Sequence, residues 1–117
     1  MDEAYYRTML FDFFGELLTD KQREYFDLHY NEDLSMSEIA ESEGIARQGF
    51  WDIIRRAEAG LRRYESRTGL VGRFADQRRI ADRMERNLEE LSARLSGEDK
   101  ALAEDIRREL QELRHGI

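Results

Sequence analysis

The chain has 117 residues, no cysteine and no proline, and 26 Asp and Glu against 19 Lys and Arg, for a net charge of −7. That length fits one ordinary domain with an appended helix. The absence of cysteine excludes disulfides and thiolate metal sites, and no apolar run approaches the ~20 residues that a membrane span needs. β-Branched runs are scarce while Leu, Ala, Glu and Arg crowd the back half, so an all-α protein is predicted. The first residues carry acids and lack a basic-then-apolar leader, so a cytoplasmic protein is expected.

The first predicted element carries Tyr5, Tyr6, Met9, Leu10, Phe13, Phe14, Leu17 and Leu18 at helical spacing and ends near Gly15 to Leu18. Thr19-Asp-Lys-Gln22 has the form of a capping box and opens a helix with Tyr25, Phe26, Leu28, His29 and Tyr30, which stops around Asn31 to Asp33. Ser35-Met-Ser-Glu38 reads as a second capping box, with Ile39 and Ala40 turned inward and Gly44 placed to end the helix. A long helix is then predicted from about Ala46 to Tyr64, with Phe50, Ile54, Ala57 and Leu61 as its apolar stripe.

The Ser66-to-Gly69 region, followed by Gly72, is the expected boundary, giving a domain over 1–66 and a helical extension over 67–117. In the extension, Phe74, Ile80, Met84, Leu88, Leu91 and Leu95 form one stripe, and Ser96-Gly97-Glu98-Asp99 breaks and re-caps the chain. Leu102, Ile106, Leu110, Leu113 and Ile117 form a second stripe. An antiparallel amphipathic hairpin or coiled-coil segment is expected, serving packing or dimerisation.

Residues 35–64 meet the demands of a helix-turn-helix. Ala40 lets the second helix cross closely, Gly44 makes the turn, Ile45 plugs the angle, and Phe50 and Ile54 anchor the second helix. Arg47, Gln48, Trp51, Asp52 and Arg55 then project from its outer face, where Arg and Gln can bond base edges while Arg55 or Arg56 meets phosphates. Trp51 can stack on a base, bind a partner protein or pack under the C-terminal helices, and burial against the chain's own helices is expected. Charge opposes the motif: residues 1–34 hold nine acids and three bases, a balance of −6, whereas residues 46–64 hold five Arg against Asp52 and Glu58, a local +3.

Other chemistry finds little footing. His29 and His115 lie far apart with no helical His pair, so a zinc site is not expected. The carboxylates alternate with Arg at salt-bridge spacing, and no nucleophile stands beside a base, so neither catalysis nor a cofactor is expected.

These residues resemble region 4 of bacterial sigma factors, whose opening and Ser-x-x-Glu-Ile-Ala helix match Leu18-Thr-Asp-Lys-Gln-Arg23 and Ser35-Met-Ser-Glu-Ile-Ala40. They resemble more closely the YlxM family of small bacterial helix-turn-helix proteins. The matching pieces are Leu10-Phe-Asp-Phe-Phe14, Leu17-Leu-Thr-Asp-Lys-Gln22, the Tyr30-to-Ala40 segment, Arg47-Gln48 with Trp51-Asp52, Arg56-x-Glu58 and Leu61-x-x-Tyr-Glu65. The resemblance implies a cytoplasmic, dimeric regulator that binds DNA or RNA and is linked with the signal recognition particle pathway. Ala46 stands where the family usually has Ser, and Gly49 where it has Ala, so weak base readout is expected. The alternative is a protein-interaction module in which the acidic N-terminal region and the leucine stripes dock a partner and the helix-turn-helix is only a scaffold.

Overall fold

The computed structural model describes residues 2–116. Six α-helices and one 3-10 turn account for nearly all of them, with no strand among the described residues. The helices are α1 (Glu3–Phe14), α2 (Asp20–Tyr30), α3 (Met36–Glu43), α4 (Arg47–Thr68), α5 (Leu70–Arg94) and α6 (Gly97–His115); the 3-10 turn Gly15–Leu17 follows α1. The chain divides into two compact units, one up to Val71 and one from Gly72 onward.

Local chemistry sets most helix ends in the first unit. Thr19 accepts from the Gln22 amide at 3.2 Å while the Gln22 side chain accepts from the Thr19 amide at 3.1 Å, a complete capping box. Ser35 makes only half of the second one. Its hydroxyl accepts from the Glu38 amide at 3.1 Å, but the exposed Glu38 side chain does not reach back. The long helix runs four residues past Tyr64, because Glu65-Ser66-Arg67 holds no breaker and Gly69, at φ +64°, is the first residue to take the left-handed conformation.

α4 is the axis of this unit and packs against α1, α2 and α3. Its Phe50, Ile54, Ala57 and Leu61 are fully buried against Leu10, Phe14, Phe26 and Ile39. Each large side chain so buried contributes about 1.5–3 kcal/mol. Rings tie the helices together: Phe11 stacks on Phe26 at 5.0 Å, Tyr25 meets Phe50 at 5.2 Å and Phe14 meets Tyr64 at 5.9 Å. Along one flank of α4, Glu58 accepts from Arg7 at 2.9 Å, and Arg62 pairs with both Glu58 and Glu3.

Arg7 also lies 4.4 Å over the ring of Tyr30. Burial raises the Tyr30 phenol above its usual value, with Arg7 pulling it down and Glu58 adding to the rise. The folded chain therefore holds the neutral phenol longer than the unfolded chain does. The stability linked to it is intact below about pH 10 and is lost as pH climbs through the folded value. Tyr30→Phe should flatten the fall of the urea midpoint between roughly pH 9 and 11; a fall as steep as in the wild type would mean that another group carries it.

In the second unit, α5 and α6 form an antiparallel hairpin whose seam shares Leu88, Leu95 and Leu110 with the predicted stripes and otherwise lies one residue beyond them. Ala81, Ser92, Ala103 and Leu110 are buried, and Glu85, Leu88, Leu95, Arg107 and Arg114 are half-buried. Ion pairs of Arg114 with Asp82 and Glu85, and of Arg107 with Glu89 at 4.0 Å, bridge the helices along the seam. Ile80, Met84, Leu91, Leu102, Ile106 and Leu113 remain exposed, Leu102 by 61% and Leu113 by 66%. They line two shallow apolar grooves of about 310 and 320 Å³. Ser96 makes no side-chain cap; Gly97 at φ +62° makes the turn, and Glu98 and Asp99 complement the positive end of α6. Ile117 of the predicted stripe lies outside the described residues.

Candidate nucleic-acid interface

The turn between α3 and α4 is three residues long, Gly44 to Ala46. Gly44 adopts φ +71° with nothing within 4 Å of where a Cβ would sit, so the backbone conformation, and not space, favours glycine here. The amides of Gly44 and Ile45 both reach the Ala40 carbonyl, the latter at 3.0 Å, which closes α3 and swings the chain into α4. Ile39 and Ala40 are buried beneath the crossing, and Ile45 is half-buried in the angle. Two helices joined by this turn, with the second anchored through Phe50 and Ile54, form a helix-turn-helix. Over residues 1–101 the chain matches the family described as "Putative helix-turn-helix protein, YlxM / p13 like".

The chain belongs to this family. It is similar to a UPF0122 protein of Thermoanaerobacter sp. (strain X514), 40% identical over 113 residues that cover 96% of this chain and 97% of the relative. A UPF0122 protein of Acetivibrio thermocellus is 37% identical over 114 residues, 97% of each chain. One from Geobacillus kaustophilus is 43% identical over 104 residues, covering 89% of this chain and 90% of the relative.

In this YlxM/p13-like chain the tip of α4 is loosely built. Ala46 occupies the N-cap without a side-chain bond, which forgoes about 1 kcal/mol that a capping hydroxyl supplies. Gly49 is exposed, in open space, where it costs up to ~1 kcal/mol against alanine. Arg47, Gln48, Arg55 and Arg56 are exposed; Trp51 is half-buried. At 100° per residue the five candidates spread over about half the circumference of α4, Arg47 at one edge and Arg56 at the other. Gln48, Trp51 and Arg55 share the middle.

Asp52 lies between Gln48 and Arg56 around the axis. Gln48 Nε2 donates to Asp52 Oδ1 at 3.1 Å, and Arg55 Nη2 donates to the same oxygen at 3.2 Å. The carboxylate thereby offsets the Arg55 charge and holds both side chains in place. Neither Arg47 nor Arg56 has an ion-pair partner among the described residues.

Arg63 and Arg67, which the motif reading passes over, share that condition. Within the unit ending at Val71, Arg7, Arg23, Arg55 and Arg62 are all paired, and Lys21 lies 5.4 Å over the Tyr25 ring. Its arginines without an ion pair, namely 47, 56, 63 and 67, all stand on α4. The spacing of 7 and 4 from Arg56 was the available signal. His29 bonds the Leu34 carbonyl through Nδ1 at 3.1 Å and meets the Phe50 ring edge-on. No group of three or more His, Asp and Glu among the described residues could hold a metal ion, and no described helix is long and apolar enough to cross a membrane.

Proposed function

We propose that the protein is a nucleic-acid-binding regulator that contacts DNA or RNA through α4, with Arg47, Gln48, Trp51, Arg55 and Arg56 as contact residues. The observation that carries this reading is the segregation of charge. In an acidic unit whose other arginines are paired, the arginines left for a polyanion all lie on the second helix of a helix-turn-helix. The loose tip and Asp52 favour modest base discrimination, with most of the affinity coming from phosphates.

The C-terminal hairpin serves self-association in this proposal, its open apolar face covered by the same face of a second copy. A cytoplasmic place beside the signal recognition particle follows from the family resemblance and belongs to the same proposal. The −6 balance of residues 1–34 supports a second reading, a protein-interaction module whose helix-turn-helix is a scaffold. A mobility-shift assay of the Arg47→Ala/Arg55→Ala/Arg56→Ala variant decides between them. The first reading expects lost binding and a shallower salt slope; unchanged binding, or a wild type that shifts neither DNA nor RNA, leaves the second.

A further inference from the structure

α4 is longer than a helix-turn-helix requires. Its 22 residues span about 33 Å, and the half beyond Arg55 carries its own pattern. Arg56, Arg63 and Arg67 fall within about 40° of one another around the axis and extend over roughly 16 Å along it. All three are exposed, and none has an ion-pair partner among the described residues. Between Arg56 and Arg63 the same flank of α4 itself carries only Ala59 and Gly60, the latter half-buried beside Leu18. The acids of this stretch, Glu58 and Glu65, lie roughly 160–180° round the helix. They are occupied there: Glu58 by Arg7 and Arg62, Glu65 by the Val71 amide at 2.9 Å.

We propose that Arg56, Arg63 and Arg67 form a phosphodiester-binding rail along the C-terminal half of α4, running on from the tip, with which it shares Arg56. This inference rests on the nucleic-acid reading above and extends it to a second surface. A polyanion of regular spacing fits the rail better than a compact anion does. Sixteen or so ångströms of duplex axis present about five phosphates per strand, each a unit charge for a cationic side chain to meet. Arg63 and Arg67 have no acid one turn away on α4, and the one beside Arg56, Asp52, is taken up by Gln48 and Arg55. The rail reads shape and charge, so it binds without regard to sequence and compensates for the weak tip.

The test compares full-length wild type with Arg63→Gln/Arg67→Gln and Arg63→Lys/Arg67→Lys. Its probes are a random-sequence DNA duplex, the equivalent RNA duplex, a single strand and polyglutamate. The Gln variant should weaken binding to unrelated sequences by the same factor and flatten the log–log salt slope on DNA by about 1.8, equivalent to up to ~60-fold at 0.1 M salt. The Lys variant should restore most of the loss, because a point charge suffices for phosphate contact. The relative affinities for the DNA and RNA duplexes identify which backbone is the ligand. If the Gln variant binds like wild type while the Arg47/Arg55/Arg56 variant is weakened, the rail falls and the tip reading stands. A Lys variant as weak as the Gln variant, or polyglutamate bound as tightly as duplex, also overturns the rail. A wild type that binds no nucleic acid overturns both.

Discussion

Phe50→Ala should destabilise the N-terminal unit by about 3–5 kcal/mol, a large part of the 5–15 kcal/mol that holds an ordinary domain. The ring is fully buried, 5.2 Å from Tyr25 and 6.0 Å from His29. Because α2 and α4 meet through it, truncation leaves a cavity that rigid helices close poorly. It lies two residues beyond Gln48, so the tip of α4 loses its anchor along with its stability. Urea unfolding followed through Trp51 fluorescence reads the change. As a control, exposed Gln48→Ala should stay within about 0.5 kcal/mol of wild type. A loss below about 1 kcal/mol for Phe50→Ala would mean that the crossing is held elsewhere.

Light scattering at micromolar concentration should give about twice the 13.9 kDa chain mass, and Leu102→Glu/Ile106→Glu should return it to a single chain. Both side chains are exposed within one copy, by 61% and 42%, so charging them leaves the hairpin seam at Ala103 and Leu110 untouched. In a pair they would be covered. Each Leu or Ile contributes about 1.5–3 kcal/mol on full burial, and two buried carboxylates per copy reverse that gain. The wild-type melting temperature should also rise with concentration, while that of the variant should not. A wild type that remains a single chain would leave the apolar face without a second copy.

Elements set by neighbouring residues were legible in the sequence. Thr19 and Gln22 specify a cap through a three-residue reach, and Gly44 and Ile45 specify a turn in the same local way. The buried set Phe50, Ile54, Ala57 and Leu61 follows from helical spacing alone. Features that depend on where a side chain finds its partner were less legible. Whether Glu38 reaches back to Ser35 depends on its rotamer, and Ser96 makes no side-chain cap at the turn where Gly97 takes a positive φ.

The hairpin seam is the clearest case. On both helices the predicted stripe and the seam share Leu88, Leu95 and Leu110 and elsewhere differ by one residue, Leu, Ile and Met giving way to Ala, Ser, Glu and Arg. Burial of Ala81, Ser92 and Ala103, together with the Arg114 and Arg107 ion pairs, marks the seam, and no local pattern announces it. At the candidate interface the residue types of the tip were readable. The Asp52 clamp and the freedom of Arg63 and Arg67 depend on which acids lie on which flank of α4, information that a residue count averages away.

The pairing of Glu58 with Arg7 and Arg62 has a consequence for approach to a charged partner. A net charge of −7 is a monopole, and seen from far away it repels a polyanion. With acids fixed on one flank of α4 and unopposed guanidiniums on the other, the near field is instead that of a dipole. Salt at physiological strength shortens the reach of the monopole to about 8 Å. If the proposed nucleic-acid reading holds, encounter depends on orientation, and the arginine side is the one that a polyanion should meet productively.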